Sequence, residues 1–433
     1  MREESTSNQG CIVTQSINTV SVIGLGYIGL PTAAVLAARK VRVIGVDIDR
    51  NAVDTINAGK VHIVEPELDS VVRDAVREGW LRASMVAEPA DAFMIAVPTP
   101  FRAGYEPDLS YVKAASESIA PVLRKGNVVI LESTSPVGTT EQMTKWLSQM
   151  RKDLVFASDA TQECDVHVAY CPERVLPGQV IRELVENDRV IGGINAASAV
   201  RAQDVYRIFV KGQLLITDAR TAEMSKLTEN AFRDVNIAFA NELSLICDKL
   251  NIDVWELIQI ANHHPRVNIL QPGPGVGGHC IAVDPWFIVN KTPEQARLIR
   301  TAREVNDSKP EWVISKVKEA VEAAVAEGKS ASDIRIACLG LAFKPNIDDL
   351  RESPSVDIAL NLAKIYPEHV VAVEPYIDDL PKNLAQAGVR LATLDQAIDS
   401  ADVLVLLVDH ANFKEKPELQ CWQRLVDTKG LWS

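Results

Sequence analysis

The feature that most constrains this chain is a rhythm, in which apolar runs of strand length alternate with segments suited to helices. TVSVIGLG, VRVIGVDI, DAFMIAVP, NVVILEST and VHVAYCPE follow one another through the N-terminal half. Runs apolar enough to be buried on both faces, each followed by a helix-compatible stretch, predict parallel strands joined by crossover helices. Residues 220–250 break the rhythm: they hold no proline or glycine and set apolar side chains at helical spacing, which predicts one long helix. DIRIACLGLAF, HVVAVEP and ADVLVLLVD then restart the alternation. The fold class is therefore α/β, with two Rossmann-like doubly wound domains joined by a long central helix. The expected divisions are a loose polar tail over 1–18, a first sheet domain over 19–218, a helical connector with a loop over 219–328, and a second sheet domain over 329–433.

A chain of 433 residues can bury two substantial cores. Its net charge of −13 argues against attraction to nucleic acid or to an anionic membrane surface, so a phosphate-bearing ligand must find local donors. The opening MREESTSNQG lacks the apolar core of a signal peptide, and no later run reaches the roughly 18–20 apolar residues that span a bilayer. Seven cysteines, an odd number without close spacing or paired CxxC clips, predict reduced thiols, no bound metal and a cytoplasmic location.

Gly24, Gly26 and Gly29 form G-x-G-x-x-G directly after the first apolar run and before a helical AAVLAARK segment. Such a turn lets a pyrophosphate approach the backbone and aims the helix N-terminus at its charge. The turn, including Tyr27 and Ile28, is assigned to a dinucleotide. Asp47 closes the second run, 23 residues after the first glycine. Its carboxylate suits a ribose diol and would repel a 2′-phosphate, which selects NAD over NADP. Thr99, Thr134 and Thr140 follow later strands, whose carboxyl ends face the ligand crevice, and are candidates for the nicotinamide side, with helix capping the alternative for Thr140.

The stretch HHPRVNILQPGPGVGGHC, residues 263–280, is too rich in glycine and proline for regular structure and predicts a ligand-handling loop. Within GGHCIAVD, Cys280 follows Gly277, Gly278 and His279, at a place where a helix could begin and activate a thiol. Cys247 and Cys338, inside apolar segments, read as packing residues. On the long helix Lys226, Asn230 and Arg233 share one face, and the neighbouring Met224, Leu227, Ala231 and Phe232 suggest that the helix is buried with this stripe lining a pocket. Glu173 and Arg174 come just after the fifth run and fall on the same ligand-facing edge.

GLGYIGLP, IAVPTPF, ESTSPVGTT, YCPERVLPGQ, EMSKLTENAFRDVNIAFANE, HPRVNILQPGPGVGGHCIAVDP and GLAFKPNIDDLRESPS together resemble the family of UDP-glucose and UDP-mannuronic acid dehydrogenases, from about Thr19 to Trp432. CPERVLPG is the form carried by members that act on N-acetylhexosamines rather than on UDP-glucose. The resemblance implies an NAD-dependent, four-electron oxidation of a UDP-sugar at C6, for a bacterial surface polysaccharide, by a homodimer joined through the long helix. It implies that Cys280 adds to an aldehyde and carries a thioester. It further implies that Lys226 and Asn230 serve proton transfer and the oxyanion, that Asp284 or Glu173 handles the hydrolytic water, and that Thr134 belongs to the catalytic group. Sugar-nucleotide contacts fall on Arg174, Val175, Lys226, Asn230, Arg233, His264, Arg266, Gly277, Phe343 and Lys344, and a cofactor contact on Arg351. Two other readings are a two-electron alcohol dehydrogenase and a silent nucleotide-sugar binder. Two, one or zero NADH per sugar separate the three.

Overall fold

A computed structural model describes residues 16–432, apart from 64, 159–162, 177 and 279. Most of the expected tail and His279 thus lie outside the described residues. The first sheet contains β1 (Thr19–Ile23), β2 (Arg42–Val46), β3 (Leu81–Ser84), β4 (Ala92–Ile95), β5 (Asn127–Leu131), β6 (Val166–Tyr170), β7 (Arg189–Gly193) and β8 (Leu214–Asp218). Its order is β3-β2-β1-β4-β5-β6-β7-β8. After β3 the chain returns to β4 on the other side of β1, so the carboxyl ends of β1 and β4 flank a topological switch point, where open α/β sheets bind ligands. Residues of β1, β4 and β5 are almost wholly buried, which is why these runs read as continuously apolar.

The second sheet contains β9 (Ile336–Leu339), β10 (Val370–Val373), β11 (Arg390–Leu391), β12 (Val403–Leu406) and β13 (Arg424–Asp427), in the order β11-β10-β9-β12-β13 with every pair parallel. The eight runs singled out in the sequence are all strands. The first sheet departs from the expected all-parallel pairing at one place, since β6 and β7 run antiparallel through Ala169–Gly193 and Tyr170–Gly192. The five unread strands are short, charged, glycine-ended or exposed, as LRAS and LLITD are.

The long helix spans Ala219–Leu250, and two compact units divide within it, between Leu227 and Thr228. Leu227 and Ala231 are buried as expected, but Phe232 is 70% exposed and Met224 is also exposed. The apolar surroundings inferred for the polar stripe therefore fail on that side. A second long helix, Arg297–Ala326, belongs to the C-terminal unit. There Asn241 joins Asn306, Asn306 and Arg303 join Asp234, and the Gly273 N–H donates to Asn241 Oδ1, so buried polar groups anchor the 263–280 loop to both long helices. Among the described residues no helix is long and apolar enough to cross a membrane.

Candidate functional site

In the N-terminal unit each glycine of the first turn does something different. Gly24 has φ +90°, donates its N–H to Val46 O at 2.8 Å, and leaves no room for a Cβ, which would lie 2.6 Å from Ala96 O. Gly29, the first residue of the helix Gly29–Ala38, would press a Cβ to 1.8 Å from Gly24 O. At Gly26 an added Cβ meets nothing within 4 Å, which leaves the backbone open to a ligand. Ile28 caps the helix without a side-chain hydrogen bond and no acid occupies its first turn, so the helix presents N–H groups and their dipole to an anion. Tyr27 is exposed beside them. Asp47 accepts from Leu25 N–H at 2.8 Å and Asp49 N–H at 2.9 Å, which fixes a half-buried carboxylate at the crevice with lone pairs to spare. These residues fit the diphosphate and ribose of NAD.

The threonines diverge. Thr99 Oγ1 donates to Thr134 O at 2.6 Å, tying together the loops that follow β4 and β5. Thr140 is fully buried, and both its N–H and its hydroxyl donate to Glu223 Oε1, at 2.8 and 2.7 Å. Of the two roles weighed for it, the structural one accounts for these bonds, although the partner is a long-helix carboxylate rather than its own helix.

Glu173 is buried, and its two oxygens accept from Arg174 N–H at 2.6 Å and from the buried Arg189 guanidinium at 2.8 Å. Arg174 and Val175 are half-buried on the same segment. Behind Glu173 lies a group that sequence reading missed. Glu132, at the end of β5, is 2% exposed; its Oε1 accepts from Tyr206 O–H at 2.7 Å, and its Oε2 has no partner among the described residues. Burial, with the charge of Glu173 alongside, pushes the Glu132 carboxyl up to about 7 against the pull of Arg189. The available signal was an arginine opening the apolar strand RVIGG, because a buried arginine requires a carboxylate.

Lys226 is half-buried on the N-terminal unit's part of the long helix. In the C-terminal unit, Asn230 donates its side-chain N–H to Asp284 Oδ2 at 2.5 Å, and Arg233 is exposed. Asp284 is buried and heads the helix Asp284–Lys291, where the dipole favours an anion. Cys280 is half-buried one turn earlier, its carbonyl accepting from Asp284 N–H at 2.8 Å and Val283 N–H at 3.1 Å. The cysteine thus precedes the helix rather than starting it. Cys247 and Cys338 are buried, and burial pushes the Cys338 thiol up to about 12.

The loop meets the turn after β9. A Cβ on Gly277 would lie 2.5 Å from Glu352 O and 2.8 Å from Phe343 Cβ, and Gly278 (φ +82°) packs on the Phe343 ring while donating its N–H to Arg351 O at 3.2 Å. Gly277, Phe343 and Arg351 are therefore brought together. Lys344 is exposed on the same turn, and the Arg351 guanidinium binds Asp349. His264 and Arg266 are exposed in a separate turn, where His264 Nδ1 accepts from Arg266 N–H at 3.3 Å.

A switch-point sheet with an open glycine turn and an acid beyond its second strand defines a dinucleotide-binding α/β protein, and in the C-terminal unit the cysteine-bearing loop packs on the turn that opens a second parallel sheet. The chain belongs to the UDP-glucose/GDP-mannose dehydrogenase family, whose NAD binding, central and UDP binding domains match residues 18–210, 220–308 and 337–432. NAD is the cofactor. Over 419 residues the chain is 62% identical to UDP-N-acetyl-D-mannosamine dehydrogenase of Salmonella typhi, covering 96% of this chain and 100% of that one. It is 60% identical to NDP-N-acetyl-D-galactosaminuronic acid dehydrogenase of Ralstonia nicotianae, covering 96% of each. Among solved structures, UDP-D-ManNAc dehydrogenase from Pyrococcus horikoshii matches with TM-score 0.83 and 38% identity, over 95% of this chain and 96% of that one.

Proposed function

We propose that this chain oxidises the C6 hydroxyl of UDP-N-acetyl-D-mannosamine to a carboxylate, with two NAD consumed for each sugar. The observation that carries the reading is the end-to-end 62% identity to a relative bearing that activity's name. The CPERVLPG segment supports it. NAD, held at the Gly24–Gly29 turn and Asp47, would supply the hydride acceptor for each of the two oxidations. Lys226 takes up the hydroxyl proton as the first hydride leaves C6, and with Asn230 it stabilises the oxygen. The Cys280 sulfur adds to the resulting aldehyde. Loss of the second hydride from the thiohemiacetal, with its hydroxyl proton passing to Lys226 once that lysine has released the first to solvent, leaves a thioester, and water, deprotonated through Asp284 or Glu173, releases the uronate and restores the thiol. Within the C-terminal unit, the Asn230–Asp284 bond and the burial of Asp284 support the roles given to those two residues.

Around this chemistry we read 19–218 as the NAD-binding domain, 219–328 as the connector with the catalytic loop, and 329–433 as the UDP-sugar-binding domain. Thr99, Thr134 and Arg351 serve the cofactor and catalytic edge, while Arg174, Val175, Arg233, His264, Arg266, Gly277, Phe343 and Lys344 contact the sugar nucleotide. The protein works in the cytoplasm as a homodimer, and its acidic sugar feeds a bacterial surface polysaccharide.

The test is turnover on a panel of UDP-hexoses and UDP-N-acetylhexosamines, with the N-acetylgalactosamine form included because the Ralstonia relative's name points to it. The expected result is fastest oxidation of UDP-N-acetyl-D-mannosamine with two NADH per sugar; faster turnover of another sugar displaces the substrate assignment. Cys280→Ser should still bind both ligands yet lose turnover by several orders of magnitude. A serine variant that makes two NADH at a near-normal rate would falsify the covalent route.

A further inference from the structure

The turn that opens the second sheet repeats the geometry of the first. Gly340 follows β9 at φ +90° and donates its N–H to Val373 O at 2.8 Å, as Gly24 does to Val46. The acid beyond β10, Glu374, accepts from Leu341 and Ala342 N–H at 2.7 and 3.0 Å, as Asp47 accepts from Leu25. What else reaches the acid differs. Asp47 faces the crevice, whereas Glu374 is buried and its Oε2 lies 3.1 Å from Nε2 of His410, which is buried as well. Burial works against the Glu374 charge, but His410 and the two backbone donors hold its carboxyl below the usual range.

The other imidazole nitrogen, Nδ1, accepts from Asn346 N–H at 3.0 Å. A backbone N–H can only donate, so Nδ1 is the acceptor and Nε2–H points at Glu374. Asn346 is a non-glycine residue at φ +62°, and its side-chain oxygen accepts from Ala411 N–H at 2.8 Å and Tyr376 O–H at 3.0 Å. The ring is held between Tyr376 and Phe413, with centroids 5.1 and 5.4 Å away. One imidazole therefore connects the sheet's acid to the strained end of the turn that carries Phe343 and Lys344.

We propose that His410 is a positioning residue for the sugar-nucleotide site: it fills the place beside Glu374 that ribose hydroxyls take beside Asp47, and through Asn346 it holds Phe343 and Lys344 where the uridine diphosphate is bound. The inference rests on the reading above of Phe343 and Lys344 as UDP contacts. An asparagine at 410 keeps an acceptor near the Nδ1 position, while a glutamine keeps a donor near Nε2. A residue that merely fills space would tolerate the larger glutamine better than the smaller asparagine.

The experiment uses the full chain, with calorimetric titration of UDP and amide hydrogen exchange over 341–352. His410→Gln should weaken UDP binding about tenfold and speed exchange in the turn, whereas His410→Asn should stay within about threefold of the unaltered protein, since one hydrogen bond is at stake. Tyr376→Phe, which removes an exposed hydroxyl, should shift exchange in the same direction by a smaller factor. Weakening by His410→Asn that equals or exceeds that of His410→Gln, or no change in either, overturns the proposal. Should both buried variants fail to fold, unchanged exchange in Tyr376→Phe overturns it. Lys344→Ala separates the two readings. If it weakens UDP binding while His410→Gln does not, only the inference fails; if it binds UDP normally, the UDP reading of the turn fails and the inference falls with it.

Discussion

Glu132 shows how a single residue can be both prominent and illegible. Its neighbours in sequence are an apolar strand and a serine, and nothing local marks it as an acid next to another acid. The residues that give it meaning are remote: Tyr206 lies 74 positions on, and Glu173 is reached through Arg189. The glycines at 24 and 29 were legible because a turn's requirements are local and a side chain at either would strike the backbone. Glu132 supports a prediction about pH. Its folded carboxyl is raised from the ordinary 4.5 to about 7, so the folded state keeps a proton that the unfolded state has lost between those values. The stabilisation is thus fully present below about pH 4.5 and is lost as pH rises toward 7, with a magnitude on the order of 1–3 kcal/mol. Glu132→Gln, permanently neutral and still able to accept from Tyr206, should flatten that slope. Unfolding midpoints between pH 5 and 7.5 measure it, and a slope equal to that of the unaltered protein would show that Glu132 does not titrate there.

At the scale of elements, the long helix was the easiest to read, because no breaker interrupts 220–250. Which of its faces is covered was not readable, since an apolar residue on a helix has the same spacing whether it meets its own chain or another copy. Phe232, Phe239 and Ile246, seven apart, are 70%, 52% and 45% exposed, a stripe that fits a second copy of the same helix. On the proposed homodimer, Phe232→Glu with Phe239→Glu should weaken association at least a hundredfold, as loss of aromatic anchors does. Sedimentation measures the mass, and an unchanged dimer would place the interface elsewhere. The antiparallel β7 was hidden for a different reason. Strand direction is set by where a crossover returns, and a run as short as RVIGG says nothing of that.

For the whole molecule, the two sheets share the order of their first four strands and the hydrogen bonding of their first turns, yet only one turn keeps its acid at the crevice. Asp47→Asn should therefore narrow the preference for NAD over NADP, on the order of tenfold, by removing a charge that repels a 2′-phosphate. Glu374→Gln should lower the unfolding midpoint and leave the cofactor ratio where it was. Comparing kcat/KM for the two cofactors in both variants tests this, and a ratio that moves in Glu374→Gln would contradict it. The alternating runs made both sheets visible in the sequence; the fate of the second acid depended on a histidine 36 positions away. The buried bonds among Asp234, Asn241, Arg303 and Asn306 carry a consequence of another kind. They and the Gly273 tether join residues 32 to 72 positions apart, and contacts that distant form only after much of the chain's freedom has been surrendered. The loop bearing Cys280 is therefore expected to gain its protection only after the helices carrying Asn241 and Asn306 have docked, and pulsed hydrogen exchange over 263–278 during refolding would measure the order.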